Sequence, residues 1–225
     1  MKGISMFEHL RKPWKRLIAP IARGLVSIGV TANVVTVVGA VGTVVVSIIT
    51  GLTGWLLPGA IVLTILVIFD SLDGSVAALS GGGTQFGAFL DSTLDRIADW
   101  AVLTGVIIYF HRLISSGATG PNDYWPEIGM YAALFSVMTS FVTSYARARA
   151  EAEGFEAKNG VATRSDRLVI ILVGMALTGI GLPPAVLTCC MLLLAALGVL
   201  TVWQRIWHVS RSMSTSTKPA NPEHE

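Results

Sequence analysis

The sequence predicts an all-α integral membrane protein of six transmembrane helices preceded by an amphipathic interfacial helix. Three observations carry this expectation: too little polar surface for a water-soluble globule, six apolar runs of membrane-crossing length, and basic residues gathered on alternate connections. Of the 225 residues, 52% are hydrophobic and only 13% are charged. With a mean hydropathy of +0.66, the chain needs lipid to cover most of its surface. The formal net charge of +2 names no partner, and nucleic-acid binding has no support. Cys189 and Cys190 are adjacent in an apolar run, where helical neighbours point about 100° apart. Neither a disulfide nor a metal pair is favoured there, and both read as packing residues.

Residues 7–25 set Arg11, Lys12, Lys15 and Arg16 against Leu10, Trp14, Leu17 and Ile18, the pattern of a helix lying in the membrane interface. No short apolar core precedes a small-residue cleavage site, so nothing looks cleaved. Spans follow at 33–49, 55–79, 86–110, 131–146, 168–180 and 184–206. The fifth is short unless 164–167 opens its first turn. Lys and Arg cluster before the first span, between the fourth and fifth, and after the sixth, while the connections near Thr53, Gly120 and Gly181 carry almost none. The positive-inside rule then puts both termini on the cytoplasmic side of the cell membrane. The turn at 80–84, with three consecutive glycines, is cytoplasmic as well, and it predicts that the second and third spans pack as an antiparallel hairpin. Residues 1–209 read as a single membrane domain, with 1–25 its amphipathic segment. Residues 210–225 turn to Ser, Thr, Pro and charge and read as a disordered cytoplasmic tail.

Asp70, Asp73, Asp91 and Asp95 carry the chemistry. Each falls inside or at the edge of a span, where a carboxylate costs about 2.5 to 3.5 kcal/mol on insertion scales and marks a function or a partner. Spacings of three and four put each pair on one helix face, and the glycine turn brings both pairs to comparable depth. Facing carboxylates repel unless cations neutralise them. Oxygen ligands without nearby Cys or His suit Mg²⁺ or Mn²⁺, ions that complete their shells with substrate phosphates. Gly74 and Gly87, one turn from Asp70 and Asp91, clear the same stripes for a ligand, although small residues in membrane helices also serve close packing. A cation transporter could place carboxylates at this depth too, but it needs neither these glycines nor an interfacial helix.

The run from Asp70 through Asp73-Gly74-Ser75-Val76-Ala77, continued by Gly87, Asp91 and Asp95 at intervals of four, resembles the signature of the CDP-alcohol phosphotransferase family. The resemblance implies a six-helix fold and a two-metal displacement in which CDP-diacylglycerol gives up its phosphatidyl group to an alcohol and CMP departs. It assigns Asp70, Asp73, Asp91 and Asp95 as ligands of two divalent cations, with Asp95 also the general base. It directs the nucleotide to Thr31, Ala32, Asn33, Val34, Asp73, Gly74, Ala77, Ala78, Thr84 and Gly87. The chain departs from the family at Ala78, where relatives carry an Arg that helps hold the diphosphate. It departs again at Thr31-Ala32-Asn33, where Thr-Pro-Asn is common.

Arg147 and Arg149, Arg164 and Arg167, and Arg205 gather at cytoplasmic helix ends. The positive-inside rule expects cations there in any case. Collectively they could bind an acceptor that is itself a phosphate ester. The stretches Ser144-Tyr145-Ala146-Arg147-Ala148-Arg149-Ala150-Glu151 and Arg164-Ser165-Asp166-Arg167 are similar to the branch of the family that accepts inositol phosphate. The expected partners are therefore CDP-diacylglycerol, inositol 1-phosphate and the bilayer, with a homodimer possible and glycerol 3-phosphate as the alternative acceptor. Asp99 extends the aspartate stripe by four more residues. It reads as an ion-paired residue whose partner is Arg96 or an Arg of the fourth span.

Overall fold

A computed structural model describes residues 19–216 apart from 119, 121, 156, 158 and 159. The amphipathic reading of 7–25 therefore lies mostly outside the described residues, of which 19–27 are helical. Six longer helices follow: α1 (Ala32–Thr53), α2 (Leu56–Leu79), α3 (Gln85–Ser115), α4 (Trp125–Ala152), α5 (Arg164–Gly179) and α6 (Ala185–Ser216). No strand occurs among the described residues.

Local chemistry sets the helix ends. Thr31, in extended conformation, accepts a hydrogen bond from the Val34 N–H and starts α1. Thr84 does the same for α3 through the Gly87 N–H at 2.9 Å. α2 stops at Ser80, and Gly81 and Gly82 follow with φ of 96° and 109°. That left-handed pair lets the chain reverse within a few residues at no steric cost. α5 opens on a capping box, in which Thr163 accepts from the Asp166 N–H and the Asp166 carboxylate accepts from the Thr163 N–H. The first turn of α5 thus lies at 164–167, the condition on which the short fifth span depends.

Five of the helices are long and apolar enough to cross a membrane by length and composition. α5 has 16 residues, or about 24 Å at 1.5 Å per residue, and is packed between α2 and α6. α6 continues through Ser216, into the stretch that composition reads as tail. No Gly or Pro interrupts it there, and Ser212 donates back to the His208 carbonyl at 3.0 Å. Residues 217–225 lie outside the described residues.

Helix neighbours form a closed ring in the order α1, α2, α5, α6, α4, α3 and back to α1. The expected hairpin of the second and third spans is corrected by this order. α2 and α3 share the glycine turn but make no extended packing contact, because α1 packs against both. Leu63, Val106, Phe110, Met175, Leu187 and Met191 fill the half of the ring remote from that turn. Near the turn the apolar packing shrinks to a small cluster of Ala22, Leu72 and Val76, and polar groups gather beside it.

Lipid gives helices no hydrophobic drive to associate, so close backbone approach has to supply the contact. At the α1–α3 seam a Cβ on Gly51 would stand 2.5 Å from the Gly105 carbonyl oxygen, and one on Gly105 would strike the Ser47 carbonyl. Gly105→Val should therefore destabilise the protein by about 1 to 3 kcal/mol, read as a lower melting temperature in detergent. An unchanged melting temperature would mean that the seam is looser than described.

Candidate metal and anion site

α2 contributes Asp70 and Asp73, α3 contributes Asp91, Asp95 and Asp99, and α5 contributes Arg164 and Arg167. One carboxylate oxygen from each of Asp70, Asp91 and Asp95 lies within 4.8 Å of the other two. This all-oxygen set, without His or Cys, fits a hard divalent cation that would keep coordination positions for a phosphate. Asp73 stands apart from the group. Its carboxylate accepts from Thr36 Oγ1 at 2.9 Å and from the Gly74 N–H at 2.5 Å, which turns it toward α1.

Arg164 reaches the same carboxylates from α5. Its Nη1 lies 2.7 Å from Asp95 and 3.2 Å from Asp70, and its Nε lies 3.1 Å from Asp99. Arg167 pairs with the other Asp99 oxygen at 2.8 Å. Asp99 thus pairs with two arginines of α5 and, at 3.8 Å, with the expected Arg96, while the alternative partner on the fourth span gives way to those of α5. Sequence distance hides this pairing, because α5 reaches α3 only through ring closure.

Two cavities flank the carboxylates. The first, about 790 Å³, lies where α2 and α3 diverge beside the start of α1. Thr31, Ala32, Asn33, Asp73, Gly74, Ala77, Thr84, Gly87 and Asp91 line it. Val34 and Ala78 do not, and both are exposed elsewhere on their helices. A Cβ on Gly74 would meet nothing within 4 Å, so that glycine leaves the cleft open. A Cβ on Gly87 would stand 3.0 Å from Asn33 Oδ1, so Gly87 also lets α3 approach α1.

The second cavity, about 620 Å³, is lined by Asp91, Asp95, Arg96, Ser144, Arg147, Arg164, Arg167 and Arg205 among others. Asp91 borders both cavities. Arg205 is buried and donates to the Thr143 carbonyl, while Arg147 pairs with Glu151 at 2.8 Å. Arg149 is not in this lining and pairs with Glu153. Two positions beyond Arg147 it points about 200° around α4, so the expectation that groups it with the other arginines is corrected: the helical period turns it away from this cavity. Arg96, by contrast, belongs to the cavity and donates to Ser144 Oγ, which crosses from α3 to α4. Its place directly after Asp95 was the available signal, but neighbours on a helix diverge, and sequence alone assigns it no more than a counter-ion role.

A helical membrane protein with clustered carboxylates between an open cleft and an arginine-rich cavity is arranged to bring two anionic groups together around a metal site. The chain belongs to the CDP-alcohol phosphatidyltransferase family, whose model matches residues 29–203. It is similar to the phosphatidylinositol phosphate synthase of Cutibacterium acnes, 39% identical over 219 residues covering 92% of this chain and 99% of that one. It is similar also to the synthase of Mycobacterium marinum, 40% identical with 88% and 82% covered. The crystal structure of Mycobacterium tuberculosis phosphatidylinositol phosphate synthase with CDP-DAG bound superposes with a TM-score of 0.78 at 36% identity, covering 93% of this chain and 98% of that one. A second structure of that enzyme, in complex with manganese and citrate, gives 0.76 at 36% identity, covering 92% of both chains.

Replacing Asp91 with Asn keeps its shape but removes a charge shared by both cavities. Turnover should fall on the order of a hundredfold or more, as when one charge-stabilising group is taken from a transition state. Near-normal turnover of the folded variant with Mg²⁺ would remove Asp91 from the site.

Proposed function

We propose that the chain transfers the phosphatidyl group of CDP-diacylglycerol to inositol 1-phosphate, giving phosphatidylinositol phosphate and CMP. The observation that carries this reading is the position of Asp91 and Asp95. Asp91 borders both cavities and Asp95 faces the arginine-lined one, so a donor phosphate and an acceptor hydroxyl can meet at one point. The names of the similar synthases, and the CDP-DAG bound in one of them, support this choice of donor and acceptor class.

In this reading the cleft beside α1 receives the donor. Asn33 and Thr84 offer polar contacts at its wall, and Gly74 gives backbone access. Asp70, Asp73, Asp91 and Asp95 would hold divalent cations, Mg²⁺ or Mn²⁺. These stabilise charge on the attacking and leaving oxygens of a phosphoryl transfer. Asp95 takes the proton from the acceptor hydroxyl as that oxygen bonds to the phosphorus bearing diacylglycerol. The bond from the same phosphorus to the CMP oxygen breaks, and CMP leaves with the electron pair. Arg147, Arg164, Arg167 and Arg205 hold the acceptor's own phosphate, for which guanidinium forks suit the geometry. The basic ends of α4, α5 and α6 support a cytoplasmic setting for this chemistry at the cell membrane, as the positive-inside rule expects.

Purified protein in lipid with labelled CDP-diacylglycerol tests the assignment against inositol 1-phosphate, glycerol 3-phosphate and free inositol. The expected result is metal-dependent CMP release with inositol 1-phosphate as the preferred acceptor. Preference for glycerol 3-phosphate would move the chain to the other acceptor class, and acceptance of free inositol would remove the need for the arginines. A second comparison separates the arginines. Arg205→Ala should raise the acceptor KM about tenfold with little change in the donor KM. Arg149→Ala should stay within about twofold, as for an exposed ion pair. Unchanged KM values in both variants would mean that both arginines contribute only to insertion.

A further inference from the structure

Asp99 is 5% exposed and belongs to neither the three-carboxylate group nor the lining of the two large cavities. A lone buried carboxylate at this depth needs partners, and its two oxygens have different ones. Oδ1 accepts from Arg164 Nε at 3.1 Å, and Oδ2 accepts from Arg167 Nη2 at 2.8 Å. Both arginines sit in the first turn of α5, at its first and fourth residues. There the helix macrodipole disfavours cations, so the sequence places two positive charges against their local electrostatic preference. The Thr163–Asp166 capping box fixes where that turn begins. A spacing of three then sends both guanidinium groups to one side, where Asp99 meets them.

The bonds that Asp99 takes leave the rest of each fork available. With Nε engaged by Asp99, Arg164 directs Nη1 to Asp95 and Asp70. With one Nη on Asp99, Arg167 still lines the basic cavity. Arg96, bonded to Ser144, closes the fan 3.8 Å from Asp99. We propose that Asp99 is a positioning residue for the transfer. By dividing its two oxygens between Arg164 and Arg167, it sets the orientation in which α5 meets the phosphate of the acceptor. This rests on the proposed use of the basic cavity for a phosphorylated acceptor. Asp99 itself touches no substrate and binds no metal in the proposal. Its influence is exerted through the arginines alone.

Asp99→Asn keeps the size and removes the charge. With inositol 1-phosphate as the acceptor probe, full-length enzyme in lipid should show an acceptor KM raised about tenfold or more, with the donor KM within about twofold of wild type. The double variant of Asp99→Asn and Arg167→Gln should be no worse than the poorer single variant, because the two changes disable one device. Multiplying effects would overturn the inference. So would a lower melting temperature accompanied by wild-type kinetic constants, which is what a purely structural ion pair predicts. If Asp99→Asn yields no folded protein, Asp99→Glu decides the matter. It keeps the charge and shifts the oxygens by one methylene, so a raised acceptor KM at constant donor KM supports positioning, and two unchanged values refute it. Should wild-type enzyme use no phosphorylated acceptor, the proposed function fails and takes this inference with it. Wild-type transfer alongside kinetically normal Asp99 variants sinks the inference alone.

Discussion

Carboxylates of Asp70, Asp91 and Asp95 held within 4.8 Å of one another at membrane depth impose a constraint that the rest of the bundle answers. Each repels the others, and their partial burial weakens the screening that water supplies. Arg164 reaches two of the three from α5, Asp99 steadies Arg164, and Arg167 balances Asp99. The result is an alternating lattice of charge across α2, α3 and α5. Arg164 and Asp99 each have more than one partner, so the loss of a single member unbalances the charge without stripping its neighbours of every counter-ion.

The helix ring follows from the same constraint. If α2 and α3 packed along their length as a hairpin, the carboxylates would be pressed together without space for a phosphate. α1 instead packs against both, meeting α3 at Gly51 and Gly105 toward one end and at Asn33 and Gly87 toward the other, and meeting α2 where Gly42 faces Leu66 and Gly59 faces Thr50. The apolar core fills the half remote from the glycine turn and makes that half rigid. Polar work is confined to the other half, where the helices part.

Much of this was legible in the sequence, because membrane helices announce themselves by length and composition and because intramembrane aspartates have few reasons to exist. The glycines at 81–83 have a local signal and are legible as a turn, whereas the fifth span is expected at 168–180 and the residues at 164–167, left open as its first turn, prove to belong to it. What escaped were relations set by packing between distant segments. The pairing of Asp99 with Arg164 and Arg167 needs the ring to close, and the separation of α2 from α3 needs α1 between them. Arg149 was misgrouped for a simpler reason. Its charge was counted without its angle around α4, although the helical period was available to anyone who applied it.

The order of the ring also bears on how the protein is made. Synthesis delivers α1, α2 and α3 first, so the aspartates reach the bilayer while Arg164 and Arg167 are still unmade. α5 then has to lodge between α2 and α6, away from its chain neighbour α4, before the charges are matched. During that interval Arg96 of α3 stands alone among the arginines that finally pair with these acids. Assembly of the site is therefore among the last steps of its biogenesis, and a chain halted before α5 holds the whole aspartate motif without the arginines that make it tolerable.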